Sequence, residues 1–173
     1  MTASRVMMAT ALLVVLASPA SAQEQAEAPL LTGVVKAVFL DPTTYAPALV
    51  AWEATRLDWR SSQVFFRLGW TEHNARFTTS GLRDDTAVGY AAGNRTIAVD
   101  ALENLCLSVV NNSSSRLAER LLIRRYPARR TLIRTVGWIE RIAFASYWTY
   151  QQSAGHFQQW QENERRARQF GYR

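Results

Sequence analysis

The chain holds one cysteine and two histidines in 173 residues, and its basic side chains are nearly all arginine, with Lys36 the only lysine. Each scarcity excludes something. With Cys106 alone, no internal disulfide can form, so an exported domain of this kind must be held by its core. Cys106 sits in "ENLCLSVV" with no histidine or base nearby in sequence, which reads as a buried apolar thiol rather than a nucleophile. His73 and His156 belong to no HExxH or paired ExxH pattern, and there is no CxxC, so no zinc or ferritin-like dimetal site is expected. GxSxG and phosphate-loop motifs are absent as well. Neither a catalytic residue nor a cofactor is assigned, and the reading leans towards binding rather than catalysis.

Long apolar runs are also lacking. A bilayer-spanning helix needs about 20 apolar residues. The two most apolar internal segments, "TIAVDALENLCLSVV" and "TVGWIERIAFASYWTY", carry acids near their middles. Each such charge costs roughly 2.5–3.5 kcal/mol at a membrane centre, which disfavours spanning. Association with an inner membrane stays as a lesser alternative.

The N-terminus has the layout of a secretory signal peptide: Arg5, an apolar run from Val6 to Leu16, and the small-x-small site Ala20-Ser21-Ala22. Cleavage after Ala22 is expected, placing the chain in the periplasm or outside the cell. Residues 23–28, "QEQAEA", read as a disordered mature tip, and 29–173 as a single helical domain.

Charge is unevenly spread. Between Arg116 and Arg134 the only acid is Glu119, against Arg116, Arg120, Arg124, Arg125, Arg129, Arg130 and Arg134. Such a ridge attracts phosphate-bearing surfaces. For an exported chain the expected partner is anionic lipid or an envelope polymer, not nucleic acid; the sequence points to no protein partner and no oligomeric state.

Hydrophobic periodicity predicts an all-α fold: an irregular bundle of five to seven helices around a central apolar helix over about 128–152. Leu30 to Phe39 repeats at helical spacing. Asp41 and Pro42 open a second helix, with Tyr45, Leu49, Trp52 and Trp59 on one face and a possible break near Ser61. Gly69 ends it, and 69–94 reads as one long connection. From Thr96 to Val110 the apolar residues Ala98, Ala101, Leu102, Leu105 and Val109 predict a core face, opposite a wet stripe of Asp100, Asn104, Ser108 and Asn111. "NNSSS" is expected to stop that helix and cap one carrying Leu117, Leu121 and Leu122 inside. The central helix would bury Leu132, Val136, Ile139, Ala143, Tyr147 and Tyr150. Gly155 would begin a polar last helix.

Acids without a basic neighbour three or four positions away are the candidate site residues, because an exposed helical acid often has one. Asp58, Asp100, Glu103 and Glu140 qualify, with Arg95 and Arg141 as the matching bases. Together with Asn74 and His156, all but Glu103 could converge into a polar pocket within an aromatic-lined bundle, the basis of an alternative function as a small-molecule binder or enzyme. The bland alternative makes Asp58 a cap, pairs Glu72 with Arg76, and leaves the rest on a wet face. Glu140, in the most apolar helix, is expected to be buried and bonded to Arg95 or His156.

Overall fold

The computed structural model describes residues 30–172; the expected signal peptide and mature tip lie outside them. The fold is all-α. Four α-helices are described: α1 (Leu30–Phe39), α2 (Ala46–Arg67), α3 (Tyr90–Arg125) and α4 (Arg130–Phe170), with single 3-10 turns at Pro42–Thr44, Ala75–Phe77 and Pro127–Arg129. The helix count is lower than expected because two predicted stops do not stop anything. "NNSSS" lies inside α3, and Gly155 lies inside α4.

The reasons are local and tertiary. Ser108 and Ser114 return their hydroxyls to the carbonyls of Asn104 and Val110, which satisfies them without leaving the helix. Asn112 donates to the hydroxyls of Thr43 and Thr44 at 2.9 and 2.8 Å, so it stays helical because a partner meets it there. Gly155 is exposed with open space around it, and one glycine costs a long helix only about 1 kcal/mol. No break occurs at Ser61, whose hydroxyl donates to the Asp58 carbonyl within α2. Gly69 does end α2, at a φ of +86° that favours glycine.

The described residues form two compact units. Unit 1 comprises 30–47 and 104–150, and unit 2 comprises 48–103 and 151–172. In unit 2 the core is Trp59, Phe77 and Ile97, with Phe66, Ala87 and Val88 packed on them. Trp59 lies 5.5 Å from the Phe66 ring and 5.1 Å from that of Phe77, and its indole N–H donates to the Tyr90 carbonyl at 3.2 Å. Gly93 permits this approach: a Cβ there would fall 2.2 Å from the Trp59 ring. The connection between α2 and α3 is ordered by paired backbone bonds between Glu72 and Asp85, and by Thr79 to Thr86 and Val88 to Phe77.

Unit 1 is built with its polar residues inward. Buried positions on α3 are Asn104, Ser108, Asn112 and Glu119, and on α4 Arg141, Ala145 and Thr149. The stripe expected inside α4 faces out: Leu132, Val136, Ile139, Tyr147 and Tyr150 are 46–60% exposed. Leu102, Leu117, Leu121 and Leu122 are also exposed, as are Leu49 and Trp52 of α2 in unit 2. Cys106 is exposed rather than buried. The expected wet stripe of α3 thus supplies interior residues, with Asn112 in place of Asn111. Inside unit 1, hydrogen-bonding side chains share the interior with buried Val34, Val38 and Ala145, and no buried helix apolar on all sides forms its centre.

Candidate functional site

Two polar assemblies and one basic surface stand out. The first is a cleft of about 60 Å³ in unit 2, lined by Thr55, Asp58, Trp59, Ser62, Glu72, Asn74, Phe77 and His156. Helix α2 supplies Asp58, one turn before Ser62 and adjacent to Trp59, so the carboxylate stands at the edge of the aromatic core. His156 of α4 places Nδ1 2.8 Å from Asp58 Oδ2, with 33% and 17% of the two side chains exposed. In the neutral ring, a carboxylate partner at that nitrogen makes it the N–H donor and leaves Nε2 as an acceptor. Asn163, buried seven residues along α4, donates to Ser61 at 3.0 Å, to Ser62 at 2.8 Å and more loosely to Asp58 at 3.4 Å.

The connection closes the other side. Asn74 caps the 3-10 turn by accepting the Arg76 N–H, and its own N–H donates to Glu72 Oε1 at 2.7 Å. Burial pushes the Glu72 carboxyl above the usual carboxylate range, and the Asp58 charge adds to this against the Asn74 bond. Arg76 does not pair with Glu72; it bonds Asp100 on α3. Burial likewise raises the Asp100 carboxyl, with the Arg76 charge opposing. Of the expected pocket residues, Asp58, Asn74 and His156 line one cleft and Asp100 sits within electrostatic reach of His156.

Glu140 and Arg95 do not join. Both are exposed, and the expected burial of Glu140 is overturned. The helix phase explains it. Inward positions of α4 run through Arg141, Ala145 and Thr149, and Glu140 is one position off that line. His156 is interior to α4 rather than at a helix start, so no helix N-terminus acts on it.

The second assembly is the interior of unit 1. Arg141, 2% exposed, donates from Nε to Asp41 Oδ2 at 3.0 Å and from Nη1 to Ser115 and Glu119, each at 3.2 Å. Arg116 adds a 2.8 Å bond to the same Asp41 oxygen. Asp41 Oδ1 caps the Pro42–Thr44 turn by accepting from Thr43 N–H and hydroxyl. Burial works against the Asp41 charge, but the Thr43 bonds and the Arg116 and Arg141 charges outweigh it and hold the carboxyl below its usual value. Gly137 leaves room for this network, since a Cβ there would meet Glu119 at 3.0 Å and Arg141 at 3.2 Å. Arg141 was identifiable from sequence as a base lacking a helical partner. Asp41 was not, because a capping role accounted for it.

The basic surface lies at the turn from α3 to α4. Arg116 is drawn inside, and the Arg120 guanidinium lies against the Gly33 backbone. The remaining five, Arg124, Arg125, Arg129, Arg130 and Arg134, are exposed. Around them Leu121, Leu122, Tyr126, Leu132 and Val136 are exposed at 47–60%. Arg125 stands over the Tyr126 ring at 6.0 Å. Beyond this corner, residues 104–115 and 142–161 contain no Asp, Glu, Lys or Arg. No described helix is long and apolar enough to cross a membrane.

Comparison of the chain with protein-family models, curated proteins and solved structures gives no match in any of the three.

Proposed function

We propose that the protein is an exported envelope component that docks on anionic membrane surfaces through the α3–α4 corner of unit 1. The observation that carries this reading is the composition of that corner. Five exposed arginines alternate with five exposed apolar side chains, and Glu119, the only acid between Arg116 and Arg134, is buried. Guanidinium groups pair with lipid phosphates in forked geometry. Leucine and tyrosine side chains between them can enter the boundary between headgroups and acyl chains. The exposed stripe of α4, Leu132, Val136, Ile139, Tyr147 and Tyr150, is larger than scattered surface hydrophobics require and supports a covered face.

The reading is tested by co-sedimentation with phosphatidylglycerol vesicles and with neutral phosphatidylcholine vesicles. Each arginine contributes about 1 kcal/mol at an anionic surface. Replacing Arg124, Arg125, Arg129 and Arg130 by glutamine should therefore weaken binding on the order of 100- to 1000-fold, without loss of helicity. Added salt should weaken it too, since charges are screened beyond about 10 Å at 0.1 M. Equal binding to both vesicle types, or association with a second copy in place of lipid, would overturn it.

A further inference from the structure

The cleft of unit 2 has a chemistry the corner of unit 1 does not use. It is small: a water needs about 10–15 Å³ measured in this way, so about 60 Å³ admits a ligand of three or four heavy atoms. Its polar lining is rich in acceptors. Asp58 and Glu72 bring two carboxyl groups, Thr55 and Ser62 two hydroxyls, and His156 an acceptor at Nε2 while Asp58 engages Nδ1. Trp59 and Phe77 make the apolar wall.

The charge is lopsided. No lysine or arginine lines the cleft. Arg76, the nearby cation on the connection, is committed to Asp100 on α3. An anion would meet two carboxylates, and no three metal-ligating side chains converge among the described residues. A group that carries one positive charge, only donates hydrogen bonds and has a short apolar tail matches every wall.

We propose that this cleft binds a small primary amine in its protonated form, with the ammonium group between Asp58 and Glu72 and the alkyl end against Trp59 and Phe77. The ammonium has three donors. The carboxylates of Asp58 and Glu72 take two, and His156 Nε2 or the Thr55 hydroxyl is available for the third.

The probe is ethylammonium, titrated into the full chain and followed by the His156 ring and Trp59 indole proton resonances. At neutral pH these two signals should move together and saturate as ethylammonium is added. Propan-1-ol and acetate, of similar size but neutral or anionic, should leave both signals in place. Glu72→Gln should weaken ethylammonium binding at least tenfold with the rest of the spectrum intact; Glu140→Gln, which removes an exposed charge of unit 1 outside the cleft, should not. The proposal is overturned if ethylammonium moves neither signal, if propan-1-ol or acetate moves them equally, or if Glu72→Gln binds as well as the parent. Vesicle binding by the corner has no bearing on any of these outcomes.

Discussion

The Arg141 guanidinium donates to the Asp41 carboxylate across 3.0 Å of interior, with 2% and 6% of the two side chains exposed. One hundred residues separate them in sequence. Glu119 and Ser115 take the other guanidinium nitrogen, so the pair is the centre of a network that joins the segment after α1 to α3 and α4. Replacing Arg141 by methionine keeps much of the volume, leaves the buried Glu119 with only the longer Arg116 contact at 3.6 Å and takes one of its two guanidinium partners from Asp41. The expected cost is about 3–5 kcal/mol in chemical denaturation. A loss below about 1 kcal/mol would mean that water reaches the carboxylates and that the network does not hold unit 1.

Acid should unfold the protein through Asp41. Its carboxyl is held below its unfolded value, so the contribution is fully present above the unfolded value of about 3.9 and is lost as pH falls through the folded one. Melting temperature measured from about pH 6 down to about pH 2 should show a steep acid limb. Asp41→Asn should start lower and lose less across that limb. Parallel curves for the two proteins would assign the acid limb elsewhere.

Glu140→Ala should be nearly silent, within about 0.5 kcal/mol of the parent, because the side chain is exposed. A large destabilisation would restore the buried role its sequence neighbourhood suggests.

Glu72→Gln should raise thermal stability at neutral pH. Burial raises this carboxyl, so the folded state holds its proton more tightly than the unfolded chain does. Stability from this group is therefore present in acid and declines as pH rises through the raised value. The amide keeps the Asn74 contact and removes the charge. The gain over the parent should shrink towards pH 4, near the unfolded value of glutamate at about 4.3. A neutral-pH loss would show that the Glu72 charge supports the fold.

Much of the architecture was legible in the sequence. The helical repeat from Leu30 to Phe39 and the glycine stop at Gly69 stand where the pattern places them. Helix faces were not legible in unit 1. Periodicity locates an apolar stripe but cannot say that a stripe of Asn104, Ser108 and Asn112 will be buried in preference to it. That choice depends on partners such as Thr43 and Thr44, 68 or 69 residues distant. The rule of the unpartnered acid found Asp58, whose partners His156 and Asn163 come from α4. It missed Glu72, since Arg76 four positions on supplied a plausible local partner that the structure gives to Asp100 instead.

Contact of the α3–α4 corner with lipid is read most directly by an environment-sensitive fluorophore placed there. Leu132 is 60% exposed among the corner arginines, so Leu132→Cys in a Cys106→Ser background puts one label at the site. With phosphatidylglycerol vesicles the emission should shift to the blue and become protected from an aqueous quencher, and with phosphatidylcholine vesicles it should do neither. An emission unchanged by anionic vesicles, while the protein itself co-sediments with them or fails to, would contradict the assignment of the corner as the lipid-binding surface.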